Sequence, residues 1–124
     1  MKQVILRNLT RPDSPLITAR YCSEFLCKLR GLTFRRSLPE AWGLLLVYPR
    51  DGRMDSSIHM FFMRMDLAVV WINSANEVVD IKLARRWRPA YLPQKPARYV
   101  LELDTRYATV YQVGDQVQIE AIAA

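Results

Sequence analysis

The chain has 124 residues, of which 51% are hydrophobic and 24% charged, a balance that suits one globular domain over residues 1–124 and excludes global disorder. No stretch approaches the roughly 18 apolar residues of a membrane span, and Arg7 and Arg11 interrupt the N-terminal apolar run, which excludes a signal peptide. We therefore expect a soluble, cytoplasmic protein without membrane contact.

Most of the sequence predicts strands. Apolar runs and alternating patterns lie between turn-forming clusters such as "RPDSP", "PRDGR" and "NSAN". The predicted strands are, in chain order, residues 2–8, 16–21, 43–49, 60–63, 67–72, 77–83, 99–103 and 116–122. The proline-rich segment "RPAYLPQKPARY" cannot be a central strand, so we expect an ordered loop or an edge there.

One segment has helical periodicity. From Cys22 to Leu29 its apolar residues follow the i, i+3, i+4, i+7 pattern, which predicts a short helix over about residues 22–30. Cys22 and Cys27 would then lie on different helix faces, so we expect two reduced, packed thiols rather than a disulfide. Many short strands and one short helix predict a mostly β fold with a minor α part, either a β-sandwich or a barrel.

The basic residues form two clusters. The net charge is +6, and residues 81–101 contain no acidic side chain. One cluster consists of Lys28, Arg30, Arg35 and Arg36, and the other of Lys82, Arg85, Arg86, Arg88, Lys95 and Arg98. Both would attract phosphates, anionic metabolites or acidic partners, although an ordinary solvated surface explains them equally well. Because Trp87 stands among three arginines, the segment 82–98 is a candidate nucleic-acid interface.

Few residues carry the chemistry of catalysis or metal binding. His59 is the only histidine, and Cys22 and Cys27 lack the spacing of a zinc site. The chain has no glycine-rich loop for a nucleotide, and the methionines beside His59 would alternate between two strand faces. We expect no bound metal and no cofactor, and we rank an enzyme of unstated reaction third among the candidate functions.

Three stretches carry a resemblance to a known family. "RGLTFRRSLPEAWGLLLVYP", "SIHMFFMRMDLAVVWIN" and "RYVLELDTRYATVYQVGDQVQI" resemble, in this order, the bacterial and archaeal domain-of-unknown-function family 192. The resemblance covers about residues 30–119 and implies a compact, mostly β, sandwich-like fold with a small helix, but no activity. The matching positions are Arg30, Gly31, Leu32, Arg35, Gly43, Leu44, Leu45, His59, Phe61, Met63, Arg64, Arg98, Tyr99, Glu102, Gly114 and Asp115.

Two features depart from the family pattern. The strand aspartate of the family falls at Ala68 and the proline before it at Asp66, so a carboxylate is kept on the same strand face, displaced by roughly 6–7 Å. The glycine that usually follows Val-Leu-Glu-Leu is absent from "DTRYAT". Both departures weaken the inference that a family site is intact.

The polar residues of the middle stretch are the candidates for a site. We predict that Arg35, His59 and Arg64 line one shallow cleft for a small polar or anionic ligand. Asp66 would lie at its edge. His59 and Arg64 are five residues apart, on opposite faces of a regular strand, so they meet only across a bulge or bend. A structural ion pair of Arg64 with Asp66 or Glu102 is the alternative. A non-catalytic binding module is the preferred function, ahead of a nucleic-acid binder.

Overall fold

Seven strands and one short helix make up residues 2–122, the part of the chain that the computed structural model describes. The strands are β1 (Gln3–Asn8), β2 (Ile17–Cys22), β3 (Trp42–Gly52), β4 (Leu67–Ile72), β5 (Val78–Ala84), β6 (Ala97–Asp104) and β7 (Val117–Ala121), and the helix is α1 (Phe25–Arg30). A 3-10 turn, Thr105–Tyr107, follows β6. Residues 1, 123 and 124, which belong to the predicted domain, lie outside the described residues.

The strands form one mixed sheet in the order β5-β4-β6-β3-β2-β1-β7. Neighbouring strands are antiparallel except β2 and β3, which run parallel. The two edge strands approach each other at one end, where Glu77 and Gln116 form a bridge and the Val78 N–H donates to the Asp115 carbonyl at 2.9 Å. The prediction of a mostly β, sandwich- or barrel-like fold with one short helix is confirmed.

The helix is shorter than predicted, and this changes the state of the cysteines. It begins at Phe25 rather than at residue 22, because Cys22 is the last residue of β2 and pairs with Leu46 of β3. The prediction of two free thiols is wrong, since Cys22 and Cys27 form a disulfide with their Cα atoms 5.8 Å apart. The turn between strand and helix brings together two side chains that one continuous helix would have separated.

Residues 60–63 do not form the predicted strand. They lie in a turn in which Phe62 has a φ of 62°, and Met60 and Met63 are both buried in the same apolar cluster. The reason is that this apolar run packs as a loop on a face of the sheet instead of pairing with a strand. The alternation of an extended strand therefore does not describe how His59 and Arg64 are oriented.

Each face of the sheet buries its own apolar cluster. Leu45 and Val47 of β3 belong to one cluster, and Leu44 and Leu46 belong to the other, as the alternation of side chains along a strand requires. Tyr111, from the connection to β7, packs in the first cluster. The second cluster is covered by connecting segments rather than by another sheet.

Three connecting segments cover this second face. The crossover segment (residues 23–41) contains α1 and links β2 to β3, since parallel neighbours need a crossover connection. The methionine loop (residues 53–66) precedes β4, and the basic loop (residues 85–96) joins β5 to β6. Leu32 and Ile58 are among the side chains that these segments add to the second cluster.

Candidate ligand-binding site

Backbone hydrogen bonds join the three covering segments into one surface. The Phe34 N–H of the crossover segment donates to the Phe62 carbonyl of the methionine loop at 3.0 Å. The Trp87 N–H donates to the Met60 carbonyl at 2.7 Å, and the Met60 N–H donates to the Arg88 carbonyl at 2.9 Å. Beneath this surface lie two adjoining cavities. The crossover segment and the methionine loop line one of them together with β3, β4 and β6, and the crossover segment lines the other together with β2 and β3.

The larger cavity is a basic cleft of about 200 Å³ beside the end of α1. Its walls are Arg20, Cys27, Arg30, Gly31, Leu32, Arg35, Trp42 and Leu44. Three of these side chains are cationic and none is acidic. The guanidinium of Arg35 lies 5.2 Å from the centre of the Trp42 ring, a cation–π contact that holds this charge at the wall. The cleft is therefore suited to an anion.

The smaller cavity, of about 70 Å³, is lined by a buried glutamate, and we name it the glutamate cavity. Glu102 of β6 lies between Leu44 of β3 and Val69 of β4 and is only 6% exposed. No group within residues 2–122 donates a hydrogen bond to its carboxylate. The other walls are Lys28, Leu29, Arg30, Gly31, Leu32, Thr33, Leu46, Tyr48, Ser57, Ile58, His59, Met60, Met63 and Leu67. The segment 30–32 lines both cavities.

Burial controls the ionisation of the side chains in the glutamate cavity. Burial raises the pKa of Glu102 to about 7, because the carboxylate loses its hydration without gaining a partner. The pKa of Tyr48 is raised to about 12 by burial and then by the charges of Glu102 and Asp55. Burial lowers the pKa of Lys28, against the opposing effect of Asp55. The cavity thus contains a carboxyl group that ionises near neutral pH.

His59 is another wall residue of the glutamate cavity. Its Nδ1 accepts a hydrogen bond from the Phe61 N–H at 3.3 Å, so the neutral ring carries its proton on Nε2. Among residues 2–122 no carboxylate forms an ion pair with this ring. This arrangement favours a contact with a ligand acceptor over the role of a general base.

Outside the cavities, the same three segments expose a row of aromatic rings. Phe34, Phe62 and Trp87, one from each segment, are 65%, 52% and 56% exposed. The ring centres of Phe34 and Phe62 are 5.8 Å apart, and those of Phe62 and Trp87 are 5.3 Å apart. All three residues have a positive φ, of 62° to 67°, which is costly for bulky side chains. We refer to these residues as the aromatic row.

The structure places the four predicted site residues in different surroundings. Arg35 lines the basic cleft and His59 lines the adjoining glutamate cavity, whereas Arg64 and Asp66 are not among the wall residues of either. The Asp66 carboxylate accepts from the Arg86 N–H at 2.9 Å and pairs with its Nε at 3.4 Å. The Arg64 carbonyl accepts from Arg86 Nη1 at 3.3 Å. The grouping of all four residues around one ligand stays a prediction.

The residues of the alternative nucleic-acid interface all reach the surface. Arg85, Arg86, Trp87 and Arg88 are exposed, and Trp87 forms one end of the aromatic row. Arg86 is the member of this group whose charge is paired, with Asp66. The basic loop therefore presents cations beside a row of exposed, tilted rings.

Some wall residues of both cavities were not predicted from the sequence. Glu102 was expected only as a motif position and as a partner for Arg64, and neither Arg20 nor Trp42 was predicted to belong to a site. The available signal was a charged residue inside "YVLEL", a predicted strand whose neighbours are apolar. Such a residue is buried only at a considerable cost, which makes it a candidate functional group.

Asp115, another position of the family resemblance, serves the fold. Its carboxylate accepts hydrogen bonds from Asn8 Nδ2 and from the Gln112 N–H, both at 2.8 Å, and lies 3.4 Å from Arg11 Nε. Burial raises the pKa of Asp115, but these hydrogen bonds and the Arg11 charge hold it below its usual range. Asp115 thus connects the loop after β1 to the segment before β7.

Residues 2–122 contain neither a candidate membrane-spanning helix nor a candidate metal-binding cluster. No helix there combines the length and apolar character that crossing a membrane requires. Histidine, cysteine and carboxylate side chains do not gather there in a group of three that could hold a metal ion.

Two solved structures share the fold of this chain. A protein from Sinorhizobium meliloti, described as a candidate transcription regulator, superposes with a TM-score of 0.81 at 20% identity, covering 95% of this chain and 92% of that protein. A protein of unknown function from Novosphingobium aromaticivorans superposes with a TM-score of 0.77 at 16% identity, covering 94% and 83%. At these identities the likeness concerns the fold alone.

Sequence relatives place the chain in a family. A UPF0127 protein of Thermococcus gammatolerans is 46% identical over 78 residues, 63% of this chain and 49% of the relative, and one of Thermococcus kodakarensis is 44% identical over 67% of this chain and 51% of the relative. The chain thus spans about half the length of these two relatives. A UPF0127 protein of Pyrococcus furiosus is 35% identical over 90% of this chain and 94% of the relative. The profile of DUF192, described as "Uncharacterized ACR", matches residues 8–119, so the resemblance seen over about 30–119 is confirmed and extended: the chain belongs to the DUF192 family.

Proposed function

We propose that the protein is a binding module for a small anionic ligand, held in the basic cleft. The observation that carries this proposal is the placement of Arg20, Arg30 and Arg35 around one cleft without an acidic wall residue. Guanidinium groups donate charge-assisted hydrogen bonds to carboxylates and phosphates, often two at a time. A cleft of about 200 Å³ corresponds to roughly seven waters at about 30 Å³ each, which is room for an anion larger than inorganic phosphate.

The first test removes a cation from the wall of the cleft. We expect Arg35→Ala to weaken the binding of pyrophosphate at least about tenfold, the loss of roughly 1.5 kcal/mol that one charge-assisted hydrogen bond represents. Isothermal titration calorimetry at low ionic strength would measure this change. Arg36→Ala is the matched control, because Arg36 is the next residue, is exposed, and is not a wall residue of the cleft.

The Arg64→Ala variant distinguishes the basic cleft from the four-residue site that the sequence predicts. The basic cleft requires Arg64→Ala to bind pyrophosphate as tightly as the wild type, whereas a site built from Arg35, His59, Arg64 and Asp66 requires a loss similar to that of Arg35→Ala. Equal losses in Arg35→Ala and Arg36→Ala would show a diffuse charge effect and would rule out the cleft.

The aromatic row favours a second candidate function, the binding of single-stranded nucleic acid. Three exposed rings with centres 5.3 and 5.8 Å from their neighbours offer faces on which bases stack, and the exposed Arg85 and Arg88 beside Trp87 would contact phosphates. The strained backbone at all three rings supports a functional role for their exposure.

The second test concerns this candidate. We expect Trp87→Ala to weaken the binding of a fluorescent oligothymidylate by about fivefold to a hundredfold, the range for one lost base stack of about 1–3 kcal/mol. Fluorescence anisotropy at several salt concentrations would measure it, with affinity falling steeply as salt rises. Phe25→Ala is the control, because Phe25 is 76% exposed and lies outside the aromatic row. Unchanged affinity in Trp87→Ala would exclude the row as a stacking platform.

We further propose that residues 1–124 act as one domain and that the protein works in the cytoplasm. The disulfide between Cys22 and Cys27 is more usual in oxidising compartments, so labelling of these thiols in intact cells would test the proposed location directly.

A further inference from the structure

We propose that the glutamate cavity is a binding site for a small zwitterion that carries a primary ammonium group and a carboxylate, the chemical class of the amino acids. The ammonium group would contact Glu102, and the carboxylate would contact Lys28 and Arg30 at the wall. This site adjoins the basic cleft and shares the wall segment 30–32 with it, but the proposal does not rest on the function proposed above.

The carboxylate of Glu102 is buried without a partner. Only 6% of the residue is exposed, and the residue lines the cavity. No group within residues 2–122 donates a hydrogen bond to the carboxylate. An unpartnered buried charge is strongly unfavourable. An ammonium group, with three donors and a positive charge, would supply what the protein itself does not.

Two cationic side chains of the cavity leave Glu102 unpaired. Lys28 and Arg30 line the same cavity as Glu102, but neither forms an ion pair with the Glu102 carboxylate. Lys28 Nζ lies instead over the Tyr48 ring, 4.0 Å from its centre. A simple amine would therefore meet repulsion from two cations, whereas a carboxylate on the same ligand would be attracted by them.

The size of the cavity limits the ligand. A volume of about 70 Å³ corresponds to roughly two waters at about 30 Å³ each, which limits the ligand to the smallest amino acids, such as glycine. The rest of the wall includes the apolar residues Leu46, Ile58, Met60, Met63 and Leu67 and the polar residues Thr33, Tyr48, Ser57 and His59. A metal ion is a poorer occupant, because residues 2–122 bring no three metal-ligating side chains together.

Binding would depend on pH through Glu102. The ionisable or charged side chains around the cavity are Lys28 and Arg30 from the crossover segment, Tyr48 from β3, and Asp55 and His59 from the methionine loop. Because a proton and an ammonium group compete for the carboxylate, affinity should rise about tenfold per pH unit up to the pKa of Glu102, about 7, and then level off. A Glu102→Gln variant should abolish this dependence.

The methionines report on the cavity selectively. Met60 and Met63 are wall residues, while Met54 and Met65 are not. In protein with ¹³C-labelled methionine methyl groups at pH 8, glycine should shift the signals of Met60 and Met63 and leave those of Met54 and Met65 unchanged. Methylammonium and acetate, each with half of the ligand, should bind more weakly than glycine.

Glu102→Gln keeps the shape of the side chain and removes its charge. We expect this variant to bind glycine at least tenfold more weakly at pH 8 and to bind pyrophosphate unchanged, while Glu120→Gln, an exposed change on β7, affects neither. If Glu102→Gln does not fold, Lys28→Gln replaces it and should weaken binding of glycine but not of methylammonium. Shifts that acetate reproduces fully, affinity that survives in the variant, or absence of any shift at Met60 and Met63 would each overturn the proposal.

Discussion

Glu102 makes the stability of the protein depend on pH in an unusual direction. Its pKa rises from 4.5 in the unfolded chain to about 7 in the fold, so between these values the folded state holds a proton that the unfolded state releases. The free energy of unfolding should therefore fall as pH rises from 4.5 to 7, by about 3 kcal/mol, and then stay level. Asp115, whose pKa is lowered, acts oppositely, and its contribution is lost only as pH falls towards and below its usual range.

Urea unfolding of wild type and Glu102→Gln at several pH values would test this dependence. In the variant, the free energy of unfolding should change little between pH 4.5 and 7. At pH 8 the variant should be more stable than the wild type, because it carries no buried charge. If the free energy of unfolding depends on pH in the same way in both proteins, Glu102 does not cause the pH dependence.

At this scale the sequence identifies residue types but not their surroundings. Arg35 and His59 were singled out from their position beside the helix end and the apolar stretch, and both line cavities. Glu102 was not recognised as a ligand-binding group, because its exceptional property is burial without a partner. That property depends on neighbours from β3, β4 and the loops, which a strand pattern does not reveal.

At the scale of the elements, the backbone of β3 at Gly43 lies very close to the neighbouring strand β6. A Cβ atom added at Gly43 would lie 2.8 Å from the Glu102 carbonyl oxygen and 2.7 Å from Leu103 Cδ2. The carbonyl belongs to the paired strand β6 and cannot move without disturbing the sheet. We expect Gly43→Ala to lower the free energy of unfolding by about 2–3 kcal/mol, as overpacking does, measured by urea denaturation.

Gly52 provides a control within the same strand. A Cβ atom there would meet its nearest neighbour, Asp55 Oδ2, at 3.4 Å, so Gly52→Ala should change stability by less than about 1 kcal/mol. Similar losses at both positions would show that the close approach to β6 is not what requires glycine at residue 43.

The elements also show where pattern reasoning failed. Apolar composition identified the strands correctly along most of the chain, but residues 60–63 form a turn with Phe62 at a φ of 62°. Apolar residues that cover a sheet face from a loop resemble those of a buried strand, because both are selected for burial. The helix pattern likewise extended too far, because Cys22 is buried by strand pairing rather than by the helix.

For the whole molecule, the sequence and the family resemblance were sufficient to predict a mostly β fold, but not its strand order. The pairs β3–β6 and β4–β6 join segments separated by long stretches of chain, and local propensity contains no information about such partners. The candidate cavities depend on the same long-range arrangement, since the crossover segment, the methionine loop and several strands of the sheet together supply their walls. Their location could therefore not be predicted from the motifs alone.

The position of β6 has a consequence for how the chain folds during synthesis. This strand lies between β3 and β4, which are made earlier and do not pair with each other. Before the chain reaches Ala97, the strand pairs available are those among β1, β2 and β3 and that of β4 with β5, and both β3 and β4 lack their neighbour β6. Such high contact order slows folding, and exposed edges of this kind pair readily with other chains. We therefore expect a chain that ends before Ala97 to aggregate more readily than one in which β6 has closed the sheet.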